Sequence, residues 1–138
     1  MRSVVFAAAL IVSSLSFVPG CGKGGPSIPA TKPDEKELVK GTVVAATEAS
    51  GGVRLYKVVE VEDFPPPLTR ELHMVAYDPK ASTFEDAARM WEHKESLKVA
   101  VDHVFVQINQ FMTRDSRIIR NEPVTDAERA GYLKSKRQ

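Results

Sequence analysis

The chain has 138 residues, with 19 Lys and Arg against 18 Asp and Glu, 43% hydrophobic residues and one cysteine. That length holds at most one ordinary domain and excludes most multidomain enzymes, and the near-zero charge argues against a dedicated nucleic-acid binder, whose phosphate contacts need a basic excess. A single cysteine excludes an intramolecular disulfide and any zinc site built on cysteine pairs.

In chain order, the first element is an address. Arg2 is the only charged side chain before Lys23, and Val4 to Val12 is an unbroken apolar run that continues into Ser13, Ser14, Leu15, Ser16, Phe17 and Val18. A positive start, a short apolar stretch and small residues near a cleavage point are the parts of a secretory signal. Spanning a bilayer would take roughly 20 apolar residues, more than the run supplies. Residues 1–20 therefore read as a signal peptide.

The segment closes on Val18-Pro19-Gly20-Cys21. This resembles the lipobox of bacterial lipoprotein precursors, with an aliphatic residue at −3, Gly at −1 and the Cys that follows. Pro19 departs from the Ala, Ser or Thr usual at −2. The resemblance covers residues 1–21 only and implies a diacylglyceryl group on the Cys21 thiol. It also implies cleavage before Cys21, with Val18, Pro19 and Gly20 as the residues the signal peptidase reads. The membrane, reached through that lipid, becomes the first expected partner. One acyl chain holds a protein only marginally, so two or more on one residue make a stable anchor. Gly22 stands where, in the family's sorting rule, an Asp would retain the protein at the inner membrane. In a cell with two membranes, the periplasmic face of the outer one is favoured. Cleavage removes Arg2 and leaves 18 positive and 18 negative side chains.

From Cys21 to residue 36 the chain is rich in Gly, Pro and Ser, with no apolar face, and reads as a flexible tether. Residues 37–138 read as a single small domain. Thr42 to Thr47 and Val53 to Val61 are β-rich runs around Ser50-Gly51-Gly52, a hairpin-turn composition. Phe64-Pro65-Pro66-Pro67 cannot continue a ladder. Leu72, Met74 and Ala76 alternate with Glu71, His73 and Val75, predicting a third strand that ends at Asp78-Pro79. Ser82-x-x-Glu85 is a capping-box pattern, and Phe84, Ala87, Ala88 and Trp91 fall on one helical face, with Phe84 and Trp91 expected in the core. Leu97 to Ile108 is the longest β-like run, whose Leu97, Val99, Val101 and Phe105 are expected on one side. Arg117 to Arg120 adds a short strand, and Thr125-x-x-Glu128 opens a C-terminal helix through about Lys134.

The order β-β-β-α-β-β-α with short connections predicts a small α+β domain. We expect a mainly antiparallel, curved sheet or partly open barrel with one inserted helix and a C-terminal helix. The stretch from Gly41 to Val61 resembles the opening hairpin of Tudor-like and KOW-like small barrels, where a G-x-V-V-A strand pairs with a Y-K-V strand; here these are Gly41-Thr42-Val43-Val44-Ala45 and Tyr56-Lys57-Val58. About twenty residues carry it, and it implies no function.

Chemistry-bearing patterns are few. His73, His93 and His103 form no H-E-x-x-H and no i, i+4 pair. His73 and His103 both fall in predicted strands, could be neighbours in the sheet, and are candidates for a metal site completed by a carboxylate. Strand alternation places Asp102 on the face opposite His103. Glu60, Glu62 and Asp63 read as a solvated strand end, and Arg129, Lys134, Lys136 and Arg137 as a solvated, basic helix end. No nucleophile elbow, S-x-x-K pattern or phosphate-binding glycine loop is present. The sequence thus predicts a lipid-anchored envelope lipoprotein whose domain is a non-enzymatic binding or accessory module, needing no cofactor, with an envelope protein as a further partner and no nucleic acid. Two alternatives stand beside it: a small envelope metal-binding protein or enzyme using His73 and His103, and an inhibitor or immunity-type partner protein.

Overall fold

Five β-rich runs pair into one antiparallel sheet: β1 (Thr42–Thr47), β2 (Val53–Glu62), β3 (Glu71–Asp78), β4 (Lys98–Gln107) and β5 (Ser116–Asn121), in the order β4-β3-β2-β1-β5. The structure is a computed structural model that describes residues 28–138, so the signal segment and the lipobox with Cys21 lie outside the described residues. The fold is the expected α+β class. Its sheet is open and not closed into a barrel, because β4 and β5 pair only with β3 and β1 and remain the two edges.

The three central strands are covered on both faces, which explains why β1 reads as a continuous apolar run. On one face lie α1 (Phe84–Glu92) and the C-terminal helix, where Trp91 of α1 clusters with Val43, Leu55, Val59, Val75 and Tyr77 of the sheet. On the other, Leu38, Val44, Tyr56, Val58, Leu72 and Met74 pack with a short helix α2 (Ile108–Phe111). Hydropathy did not separate α2 from the preceding strand: Ile108 was expected as the strand's last residue, but β4 ends at Gln107. The tether side of the chain also meets this second face. Pro33 is buried, Glu35–Glu37 form a 3-10 turn, and Leu38 is fully buried.

The hairpin between β1 and β2 turns where the sequence places it. Gly51 and Gly52 both sit at positive φ, 98° and 81°, a conformation that side chains with a Cβ resist. The first helix starts one residue later than the capping pattern suggests: Thr83, not Ser82, is the N-cap, and its hydroxyl accepts from the Asp86 amide at 3.1 Å. The C-terminal helix α3 (Asp126–Ser135) keeps its predicted cap, with the Thr125 hydroxyl accepting from Glu128 N at 3.2 Å and the Glu128 carboxylate accepting from Thr125 N at 3.1 Å.

Helix α3 lies close to the sheet because Gly131 faces β4, where any Cβ would collide with the backbone oxygen of Asp102. Leu97, Val99, Val101 and Phe105 were expected on one side of the Leu97 to Ile108 run, but the register places Val101 opposite Ala76, on the other face from Val99 and Phe105. Val99, Val101 and Phe105 on the edge strand β4 are 55%, 46% and 63% exposed.

Behind α1, Glu122 ties the helix layer together. It accepts from Trp91 Nε1 at 3.1 Å, Lys94 Nζ at 2.8 Å and Arg120 at 3.3 Å. Burial alone would raise its carboxyl, but the hydrogen bonds from Lys94, Trp91 and Arg120 and the Lys94 charge outweigh it and hold the group down at about 2. A depressed carboxyl stabilises the fold above its unfolded value and loses that contribution as pH falls toward the folded value. We expect Glu122→Gln to melt lower than the native chain at pH 7, by about 2 kcal/mol once solvent screening around Lys94 and Arg120 is allowed for. The gap should shrink below pH 4.5 and close near pH 2. Melting curves across that range check it; a constant gap would show that Glu122 acts by shape and not by charge.

Candidate functional site

The period of a strand puts Glu71 and His73, two residues apart on β3, on one face. That face is the one beneath α3. The same alternation would put Glu60 and Glu62 on the opposite face from Lys57 and Val59 of β2, away from the helix. A β-bulge prevents this: Val58 pairs with Met74 but Glu60 pairs with His73, leaving Val59 as the extra residue. Beyond the bulge the pleat is inverted, and Glu60 and Glu62 join Glu71 and His73 under α3. Glu62 and Glu71 then stand directly opposite each other in the ladder.

Two further register shifts in β4 act in the same way. Met74 pairs with Val104 and Ala76 with Val101, so Asp102 and His103 together oppose the intervening residue of β3. Asp102 was expected to face away from His103. Both instead lie on the α3 side, where Asp102 lines a pocket of about 120 Å³ with Ala127 and Glu128, and the His103 and Tyr132 rings are 6.1 Å apart.

His73 and His103 do meet, as their strand positions allowed. The His73 Nδ1 is 2.9 Å from His103 Nε2, and the two rings lie edge to edge, within 6° of parallel, with centroids 5.2 Å apart. They do not, however, aim at a common point. The bond between them uses one nitrogen of each ring, and the other nitrogen of His73 points toward the carboxylates. His73 Nε2 is 3.1 Å from Glu71 Oε1 and 3.8 Å from Glu62 Oε2, in a residue only 5% exposed, and it has no hydrogen-bond partner among the described residues. One ligand atom from each of Glu62, Glu71 and His73 lies within 4.8 Å of the other two. Burial pushes His73 below its ordinary value, against the upward pull of Glu62 and Glu71, with His103 and Lys136 adding to the downward side.

Glu62 is the other half-buried member. Its Oε1 accepts from Tyr132 Oη at 2.6 Å and pairs with Lys136 Nζ at 2.5 Å, leaving Oε2 turned toward His73. The hydrogen bonds from Lys136 and Tyr132 hold its carboxyl below the usual range, and Tyr132 in turn is raised to about 12 by burial and by Glu62. Glu60 pairs with Arg129 at 3.2 Å and Lys40 at 3.6 Å. The acidic strand end and the basic helix end, both expected in solvent, are therefore largely bonded to each other. Asp63 remains at the exposed end, 2.7 Å from Arg70. His93 stands apart and exposed at the C-terminal end of α1.

One signal for the missed members was present: Glu71-x-His73 is a same-face pair in any strand. Glu62 had none, because the bulge that aims it leaves no mark in hydropathy.

The fold and site thus define a small α+β protein with an open five-stranded antiparallel sheet carrying a His-carboxylate cluster under its C-terminal helix. No protein-family model matches the chain, and no curated protein or solved structure is significantly similar to it.

Proposed function

We propose that this is an exported lipoprotein, held at the cell envelope by acyl chains on Cys21, whose folded domain serves as a non-enzymatic binding module. The observation that carries the reading is the run Val18-Pro19-Gly20-Cys21 behind an apolar stretch with a single positive charge at Arg2. The geometry of the domain agrees with a tethered module. The chain enters on the face packed around Leu38 and α2, whereas the cluster of Glu62, Glu71 and His73 lies on the opposite face, under α3. A domain hung from a Gly- and Pro-rich tether can thus present its helical face away from its point of attachment.

Intact-mass analysis of the membrane fraction tests the anchor. We expect a mature chain beginning at Cys21 and carrying two or three acyl chains, and we expect Cys21→Ser to leave the precursor unprocessed. A mature chain starting elsewhere, or an unmodified Cys21, would overturn the reading.

A further inference from the structure

Glu62 and Glu71 are directly paired across β2 and β3, and like charges so placed repel. Lys136, the half-exposed residue that caps the C-terminus of α3, pairs with Oε1 of Glu62. The buried Nε2 of His73 lies 3.1 and 3.8 Å from the two carboxylates and has no hydrogen-bond partner among the described residues. A buried ring nitrogen without a hydrogen-bond partner among the described residues, beside two opposed carboxylates, is the donor set of a cation site.

We infer that Glu62, Glu71 and His73 bind a divalent first-row transition metal, with Zn²⁺ as its best match. The inference rests on the binding-module reading for its role but not for its chemistry. Zn²⁺ held by nitrogen and carboxylate oxygen at about 2.0–2.2 Å keeps its ligand atoms roughly 3.3 Å apart. His73 Nε2 already stands 3.1 and 3.8 Å from the two carboxylate oxygens, so closure requires side-chain shifts well under the length of a rotamer change. A mixed nitrogen and oxygen set selects Zn²⁺ or its neighbours. Ca²⁺ requires six to eight oxygens, and the cluster supplies too few. Three protein ligands leave a fourth position open to water or to a group of a partner molecule.

His103 is a positioning residue in this arrangement. Metal-binding histidines donate their second ring N–H to an acceptor that fixes the tautomer and the ring plane. With His73 Nε2 on the metal, Nδ1–H donates to His103 Nε2 across the observed 2.9 Å. Lys136 has the opposite effect, since it shares Glu62 with the metal and adds a positive charge nearby.

The test is calorimetric titration of the full chain, in detergent, with ZnCl₂ and separately with CaCl₂, alongside melting curves without metal. We expect one saturable Zn²⁺ site and none for Ca²⁺. His73→Gln and Glu71→Gln should each weaken Zn²⁺ by more than about 100-fold, beyond the 10–100-fold range seen for outer partners. His103→Ala should weaken it about 10-fold or more, and His103→Gln, whose amide oxygen can accept the same hydrogen bond, should restore part of that loss. Lys136→Gln should tighten binding several-fold, an effect no loss of fold could produce. His93→Ala should change nothing. The inference is overturned by a native chain that shows no saturable Zn²⁺ site, by equal affinity in His73→Gln, or by weaker binding in Lys136→Gln. Cys21→Ser should bind Zn²⁺ like the native chain, so failure of the anchor and failure of the metal site are read separately.

Discussion

Trp91→Ala should destabilise the domain by about 3–5 kcal/mol, the range for emptying a buried aromatic site. Trp91 is 2% exposed, packs edge-on against Tyr77 with centroids 5.4 Å apart, and donates its Nε1–H to Glu122. Its loss opens a cavity between α1 and the sheet and also strips Glu122 of a buried donor. A domain of this size has little reserve, since total stabilities of about 5–15 kcal/mol are usual. Urea unfolding followed by far-UV circular dichroism measures the loss. A midpoint unchanged by the substitution would show that α1 does not rest on this contact.

The second large effect concerns a buried charge. Lys57 is 1% exposed in the middle of β2, with its ammonium 2.8 Å from the Pro123 carbonyl and 2.8 Å from the Glu128 carboxylate of α3. Glu128→Ala leaves that ammonium buried with only a carbonyl for company, at a cost of about 3–5 kcal/mol, part of it from the lost cap. Lys57→Met in the Glu128→Ala background removes the stranded charge and should recover much of the stability, because apolar replacements of a buried pair are often neutral. The double-mutant cycle is the measurement. Equal losses in the single and double variants would show that the ion pair does not carry the docking of α3.

Both effects depend on elements that were readable in the sequence. β-Branched runs marked β1 and β2, alternation marked β3, and Thr125-x-x-Glu128 marked the start of α3. Trp91 was legible as core by its place on one helical face. What was not legible depended on register. A bulge adds one residue to one strand and reverses the facing of everything beyond it, yet composition and periodicity are unchanged. The bulge at Val59 turned Glu60 and Glu62 from a supposed solvated end into partners of α3. The shifts in β4 brought Asp102 to the side of His103. Edge position was hidden as well: Leu97 to Ile108 is as apolar as the central strands, and nothing in its composition marks it as the edge of the sheet. His73 and His103 could be placed as possible neighbours in the sheet, but which of their nitrogens meet depends on those same shifts.

The cluster under α3 is where the domain's chemistry concentrates, and the claim that it holds a metal can be read directly. A crystal of the full chain grown with Zn²⁺, measured on both sides of the zinc absorption edge, locates the ion without any assumption about function. The account predicts one anomalous peak between Glu62, Glu71 and His73 Nε2, with His103 on the far side of the His73 ring. A peak at the exposed His93 alone, or a metal bridging His73 and His103 through their facing nitrogens, would contradict it.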